Sequence, residues 1–286
     1  MMGKMKDGRP RSLVAIVTMV VMVALWTLPT VGLLVTSFRD RVSVARSGWW
    51  TAIVDPFGAG WTFENYAQVL GRSSISSSLL NSVVVAVPAT VLPIMFAAFA
   101  AYAFTFMRFP LREFFFVLIV ALMVVPIQVA FQPMLNMLGP RGLGITGEFV
   151  AVWLLHTGFG MPLAIYTLRN YMSSLPASVV ESAKIDGASH FQTFWRLIAP
   201  MSMPAIAAFA TLQFIWVWND LLIAKLFLSG DTTTVIVSLQ QMLGTQGQGQ
   251  ELLTAGAFVS MVIPMIVFFA LQRFLVRGMT AGSVKG

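Results

Sequence analysis

The chain has no cysteine and only two histidines, and these shortages exclude several kinds of chemistry. Without thiols there is no disulfide, no cysteine nucleophile and no thiolate metal site. His156 and His190 are isolated and lie in different predicted compartments, so we expect no metal site, no catalytic residue and no membrane-embedded enzyme. Charged residues make up only 10% of the chain, whereas a soluble domain has about 25%. The chain is too poor in charge for a soluble domain.

Apolar residues dominate instead: hydrophobic side chains make up 57% of the 286 residues and are grouped in long runs. A helix that spans a bilayer needs roughly 20 mostly apolar residues, and several runs are that long. The formal net charge of +7 comes from basic residues scattered at the ends of these runs, which is typical of membrane topology. We therefore predict an integral membrane protein in a lipid bilayer, with no nucleic-acid partner.

The hydropathy pattern predicts an all-α membrane protein with six transmembrane helices. The spans lie at about 13–35, 79–104, 114–138, 148–171, 203–227 and 255–274. The first run is longer than the apolar core of a signal peptide and is interpreted as a retained helix. Both termini are then cytoplasmic and most basic residues lie inside, although four arginines fall in the first outer loop. The predicted organisation is an N-terminal tail, first helix and first periplasmic loop over 1–76, a core transmembrane domain over 77–274 and a cytoplasmic tail over 275–286.

One mixed-polarity stretch, Leu175 to Pro200, separates the fourth and fifth spans on the predicted cytoplasmic side. Pro176 suits a first helical turn, while Ser178 with Glu181 has the spacing of a capping box and offers an alternative start. Gly187 stands where a helix would end in a left-handed residue, and a second capping spacing follows it. The pattern predicts a short helix, a glycine turn and a second helix. An ordinary solvated connector would show the same pattern.

Polar residues inside the predicted spans form a second candidate site, because intramembrane polar groups usually face the helix bundle or a water-filled path. Amides recur every four residues along the third span, and further polar residues lie beside tryptophans near the outer end of the fifth. The candidates for lining a substrate path are Gln128, Gln132, Asn136, Trp216, Asn219 and Asp220. Amides with aromatic faces suit a neutral polyhydroxylated ligand, but the same groups also hold membrane helices together. His156 is interpreted as a packed, hydrogen-bonded histidine rather than a proton relay.

The spacing within the mixed-polarity stretch resembles a known motif. Glu181-Ser182-Ala183, three residues, Gly187, nine residues and Leu197-Ile198-Ala199-Pro200 resemble the Glu-Ala-Ala loop of ABC importer permeases. The family pattern is Glu-Ala-Ala, three residues, Gly, nine residues and Ile-x-Leu-Pro, so Ser182, Leu197 and Ala199 are mild departures. The flanking IDGAS, the WND at Trp218 to Asp220 and the tail LQRFLVRGMTAGSVKG resemble the carbohydrate-uptake branch, and within it the smaller permease of maltose and α-glucoside importers.

The resemblance implies the type I ABC importer permease fold, with a coupling helix at about Pro176 to Gly187 that docks in a cleft of a cytoplasmic ATPase subunit. The residues implied in ATPase coupling are Glu181, Ser182, Ala183, Asp186, Gly187 and Pro200, and Glu181 would pair with a basic residue there. The implied partners are a homologous second permease, two ATPase subunits and an extracytoplasmic sugar-binding protein, at the bacterial cytoplasmic (inner) membrane. In the third outer loop, Gly244, Gln246, Gly247 and Gly249 are candidates for contact with the binding protein.

No phosphate-binding loop of the form G-x-x-x-x-G-K-[ST] occurs in the sequence, so we expect ATP and Mg on the ATPase subunits and no cofactor on this chain. The predicted function is that of a non-enzymatic permease subunit of an ATP-driven sugar importer. The alternative is an ion- or proton-coupled secondary transporter, a class that often carries intramembrane carboxylates; the interior of the predicted spans offers only Asp220. The sequence leaves the sugar open among maltose, trehalose, other α-glucosides and polyols.

Overall fold

The computed structural model describes residues 13–71, 73–243 and 249–281, and within these ranges it is helical apart from turns and two isolated β-bridges. The helices are α1 Leu13–Ser37, α2 Arg41–Arg46, α3 Thr51–Val54, α4 Glu64–Gly71, α5 Ser73–Phe106, α6 Arg112–Leu122, α7 Ile127–Leu138, α8 Phe149–Met172, α9 Ala177–Ile185, α10 His190–Thr193, α11 Ala199–Trp218, α12 Leu222–Phe227, α13 Val235–Gln241 and α14 Gln250–Ala281. A π-helical segment, Phe194–Ile198, joins α10 to α11, and a 3-10 turn covers Gly230–Thr232.

Five helical segments of the described chain are long and apolar enough to cross a membrane: α1, α5, α8, α10 to α11, and α14. Counted as one broken span, the bent pair of α6 and α7 brings the number of spans to six. The prediction of an all-α membrane protein with six spans is therefore confirmed.

The third span is not the continuous helix that the sequence predicted over 114–138. It is broken after Leu122, and α6 and α7 meet at 96°. Pro126 lies directly before α7; it lacks an N–H group, and its ring disfavours helical backbone at Val125. The last turn of α6 closes with shorter-range bonds, such as Met123 N–H to the Val120 carbonyl at 3.1 Å. Proline therefore ends one helix and starts the next.

The fifth span starts and ends earlier than predicted, running from His190 to Trp218 and leaving α12 as a separate helix. Pro200 lies inside this span rather than closing the helix before it. The π-helical segment precedes Pro200, and the Ala199 N–H donates to the carbonyl of Phe194, five residues back. This wider turn accommodates a ring that would otherwise clash with the preceding helical turn.

The chain divides into two compact units, Met1–Gly71 with Met242–Val259, and Arg72–Gln241 with Ser260–Gly286. The core of the second unit lies where α5, α8 and α11 pack together through small side chains. Ala97 and Ala101 of α5 and Ala164 of α8 are 0% exposed. Small residues at such contacts let the helix backbones approach closely, which increases the van der Waals contact between them.

Two prolines inside α5 leave backbone carbonyls without their helical donors. For Pro88 that carbonyl belongs to Val84, and it accepts from the indole Nε1 of Trp153 in α8 at 2.9 Å. A side-chain amide of α11 does the same for Pro93. Neighbouring helices therefore pair both carbonyls, and α5 continues through its prolines.

The first unit is organised around Arg39, which is 1% exposed and lies between α1 and α2. Its guanidinium donates at 2.7–3.1 Å to the carbonyls of Ser43, Ser47, Gly48 and Ala59 and to the Ser47 hydroxyl. The next residue, Asp40, caps α2, and hydrogen bonds from the backbone and hydroxyl of Ser43 hold the pKa of Asp40 below its usual range. One of the four arginines that weakened the charge bias is therefore a buried structural group.

Candidate coupling element and substrate path

The predicted helix and glycine turn are present as α9 and Gly187. The helix begins after Pro176, which occupies the N-cap position in extended conformation, so the alternative start at Ser178 is wrong. Gly187 has a φ of +76°, as predicted for a left-handed helix end. The Ala188 N–H donates to the Ala183 carbonyl at 2.9 Å, and the Gly187 N–H donates to that of Lys184 at 3.1 Å. These two bonds form a Schellman motif, which satisfies carbonyls at the end of α9.

One face of α9 is buried and the other is exposed. Val180 and Ala183 are 4% and 6% exposed, and Val180 belongs to the same apolar core as α5, α8 and α11. Of the implied coupling residues, Glu181, Ser182, Asp186 and Gly187 are exposed in one segment, Pro200 is exposed further along in α11, and Ala183 is buried. Ala183 therefore anchors the helix, and the exposed residues are those available to a partner.

The segment after Gly187 is attached to the end of α5. Ser189 and Gln192 form the predicted capping box at the start of α10. The Nδ1 atom of His190 lies 3.0 Å from the Tyr102 hydroxyl of α5, and the rings of Tyr102 and Phe194 are 5.5 Å apart. A movement of α9 therefore has contacts through which to reach both α5 and α11.

The predicted amide row lies on one exposed face of α7. Gln128, Gln132 and Asn136 are all exposed, and the Gln132 amide donates to Asn136 Oδ1 at 3.3 Å. None of the three lines the apolar cavity of about 350 Å³ beside the break between α6 and α7, whose walls include Val125, Pro126 and Gly158. The row is a surface of this chain rather than part of that cavity.

Asn219 and Asp220 lie in the turn between α11 and α12, where each one caps a helix. The Asn219 amide donates to the Ile215 carbonyl at 2.8 Å, and Asp220 Oδ2 accepts from the Ala224 N–H at 3.0 Å. Trp218 is buried against Phe214, whereas Trp216 is 37% exposed.

Sequence reasoning did not include His156 of α8 among the candidate site residues of this region. It is 1% exposed, and neither ring nitrogen has a hydrogen-bond partner in the described chain, so the prediction of a hydrogen-bonded histidine is wrong. Its Nε2 lies 3.7 Å from Asp220 Oδ2, and its ring meets that of Trp216 edge to face at 5.1 Å. The pattern of α8 carries no local signal for this proximity, since Trp216 and Asp220 are distant in sequence.

Of the candidate binding-protein contacts, Gly249 has a φ of +85° and its carbonyl accepts from the Leu253 N–H at 2.9 Å, at the start of α14. The other three, Gly244, Gln246 and Gly247, lie outside the described residues.

In the second unit, α9 is a short helix that ends in a glycine turn, is anchored through one face and is exposed on the other. The chain belongs to the family described as binding-protein-dependent transport system inner membrane component, whose family model matches residues 89–281. Members of this family are permease subunits of ABC transporters and not themselves enzymes.

Similar proteins agree with this assignment. The chain is 50% identical over 264 residues to the osmoprotective compounds uptake permease protein GgtD of Synechocystis, covering 91% of this chain and 88% of that protein. It is 39% identical to the alpha-glucoside transport system permease protein AglG of Rhizobium meliloti, covering 94% of this chain and 96% of that protein. Its fold matches a crystal structure of a bacterial ABC transporter that imports the acidic polysaccharide alginate, with a TM-score of 0.73 at 22% identity, over 94% of this chain and 99% of the other.

Proposed function

We propose that this chain is a permease subunit of an ATP-driven importer that carries a neutral sugar, an α-glucoside or related oligosaccharide, across the bacterial cytoplasmic membrane. The observation that carries this proposal is α9, which buries Val180 and Ala183 and exposes Glu181 and Asp186. A helix held by the bundle through one face, with charges on the other, is suited to receive force from a soluble partner. Relatives named for α-glucosides and osmoprotective compounds support the substrate class.

The proposed partners are two ATPase subunits, which bind ATP and Mg, a homologous second permease and an extracytoplasmic sugar-binding protein. The sequence has no phosphate-binding loop, so another polypeptide must hydrolyse the ATP. The family's dependence on binding proteins supports the external partner. With both termini in the cytoplasm, α9 faces the ATPase pair, and the loop that includes Gly249 faces the binding protein.

The proposed mechanism is alternating access. Closure of the ATPase pair on ATP displaces α9, and the displacement reaches α8 and the fifth span because Val180 shares an apolar core with Ile165 and Phe194. The hydrogen bond between Tyr102 and His190 extends this coupling to α5. The residues proposed to line the path are Gln128, Gln132, Asn136, Trp216, Asn219 and Asp220.

Affinity purification in mild detergent followed by reconstitution tests the proposal. We expect an ATPase and a second permease to co-purify, and the vesicles to accumulate radiolabelled trehalose or maltose only with ATP and loaded binding protein. ATPase subunits that bind but do not hydrolyse ATP provide the control, and they should abolish uptake. A purified chain that transports alone on a proton or sodium gradient would overturn the proposal and favour a secondary transporter.

A further inference from the structure

His156 is a buried polar side chain whose hydrogen-bonding groups are not used in the described chain. It is 1% exposed, and neither Nδ1 nor Nε2 has a hydrogen-bond partner among the described residues. Buried polar atoms are nearly always paired, and leaving one unpaired is costly, so an orphaned imidazole inside a transmembrane helix needs a reason. Ionisable residues within membrane spans usually mark a path for substrate or ions.

The surroundings of His156 are polar and aromatic rather than purely apolar. Asp220 Oδ2 is 3.7 Å from Nε2, which is beyond hydrogen-bond distance, and the Asp220 side chain is 11% exposed. The Trp216 ring stands at 88° to the imidazole with centroids 5.1 Å apart, and this tryptophan is 37% exposed. Trp216 therefore contacts the buried imidazole and is itself partly accessible from outside the chain.

These three groups define the chemistry of a ligand. A neutral imidazole offers one donor and one acceptor, a carboxylate offers acceptors, and an indole offers a flat apolar face. A pyranose ring suits all three groups, since its hydroxyls donate and accept hydrogen bonds and its apolar C–H face can pack against an indole. The Asp220 carboxylate disfavours an acidic sugar, because two negative charges repel each other.

We propose that His156, Trp216 and Asp220 form a subsite for a neutral sugar. The subsite rests on the proposed function and deepens it, since it assigns direct substrate contact to this subunit and adds His156 to the path. Asp220 keeps its helix-capping bond to Ala224, and its carboxylate accepts a further hydrogen bond from the sugar. The imidazole nitrogens, which have no hydrogen-bond partner in the described chain, bind hydroxyl groups of the sugar.

The test uses the complete importer, reconstituted in vesicles with its binding protein, and compares sugar uptake with ATP hydrolysis. His156→Phe keeps a planar ring and removes both hydrogen-bonding nitrogens. We expect it to assemble and to hydrolyse ATP within about twofold of the unchanged importer, while trehalose or maltose moved per ATP falls about fivefold or more. His156→Gln, which restores a donor and an acceptor, should recover most of the lost uptake.

Thr157→Val is the matched control, because Thr157 is a neighbouring buried residue of α8 whose hydroxyl is also unpaired in the described chain. It should leave the amount of sugar moved per ATP unchanged. Equal losses in Thr157→Val and His156→Phe, or full uptake by His156→Phe, would overturn the subsite.

If the importer with His156→Phe does not assemble, Asp220→Asn tests the subsite instead. Asparagine keeps an oxygen that accepts from the Ala224 N–H but lacks the negative charge. Reduced sugar per ATP supports the subsite, and unchanged sugar per ATP overturns it. Failure of the unchanged chain to assemble with an ATPase would instead refute the proposed function, and with it the subsite.

Discussion

Gln213 of α11 donates from its side-chain amide to the backbone carbonyl of Ala89 in α5, with Nε2 and O 3.2 Å apart. That carbonyl is the one that Pro93, four residues later, leaves without its helical donor. Gly160 of α8 provides the space, because a Cβ at this position would lie 2.7 Å from Gln213 Nε2. Three helices of the second unit therefore meet around one amide that is 4% exposed.

We expect Gln213→Leu to destabilise the packing of α5, α8 and α11, although leucine has a side-chain volume similar to that of glutamine. The substitution leaves the Ala89 carbonyl buried and unpaired, which lowers the free energy of unfolding by about 1–3 kcal/mol. Thermal unfolding in detergent measures the change as a lower midpoint. Gln241→Leu, at an exposed position of α13, is the control and should leave the midpoint unchanged. Equal midpoints for the two variants would contradict the role given to Gln213.

The prolines show which features of the fold can be predicted from the sequence and which cannot. Long apolar runs and a glycine after a short polar helix are local signals, so six spans and the turn at Gly187 were predictable. Pro88 and Pro93 continue a helix, whereas Pro126 marks a 96° bend. Side-chain donors of α8 and α11 reach the carbonyls freed by Pro88 and Pro93, whereas the carbonyl four residues before Pro126, that of Leu122, accepts from the Val125 N–H within its own turn. A local sequence pattern does not show which of these pairings will form.

The same limit explains the candidate substrate path. The repeat of Gln128, Gln132 and Asn136 at four-residue spacing was enough to place them on one face of α7. The proximity of His156 to Asp220 arises from the contact between α8 and the turn after α11, which joins residues far apart in the chain. From the sequence, His156 was interpreted as a packed, hydrogen-bonded histidine, and the described chain shows it packed but without a hydrogen-bond partner.

We expect Arg39→Lys to loosen the loop between α1 and α5 although the charge is retained. A lysine ammonium lacks the planar fork of arginine, so several of the carbonyls that Arg39 now bonds lose their donor, at about 1.5–3 kcal/mol for each charged bond. Limited proteolysis in detergent should cut this loop faster. Arg41→Lys, at the exposed start of α2, should be cut at the original rate. A resistant Arg39→Lys variant would show that the bonds are replaceable.

We expect Gly187→Ala to weaken coupling without a steric clash. A Cβ at Gly187 meets nothing within 4 Å, so the effect comes from its φ of +76°, which costs an alanine about 1–2 kcal/mol. The end of α9 should shift, and ATP hydrolysis stimulated by the binding protein should fall several-fold in the reconstituted importer. Gly158→Ala is the control, because it also has open space and lies within α8 without a positive φ. Similar losses in both variants would argue against a special role for the turn.

We expect Glu181→Lys to weaken binding of this chain to the ATPase subunits while leaving the chain inserted in the membrane. Glu181 is exposed on α9, so reversing its charge leaves the buried Val180 and Ala183 in place and replaces attraction to a basic partner residue by repulsion. The ATPase should co-purify in much lower yield, and uptake should fall with it. Glu148→Lys, exposed at the opposite end of α8 from α9, reverses a charge away from the proposed contact and should retain the ATPase. Normal co-purification and full uptake by Glu181→Lys would exclude α9 as the coupling helix. A contact that depends on the Glu181 carboxylate could not survive the reversal of its charge.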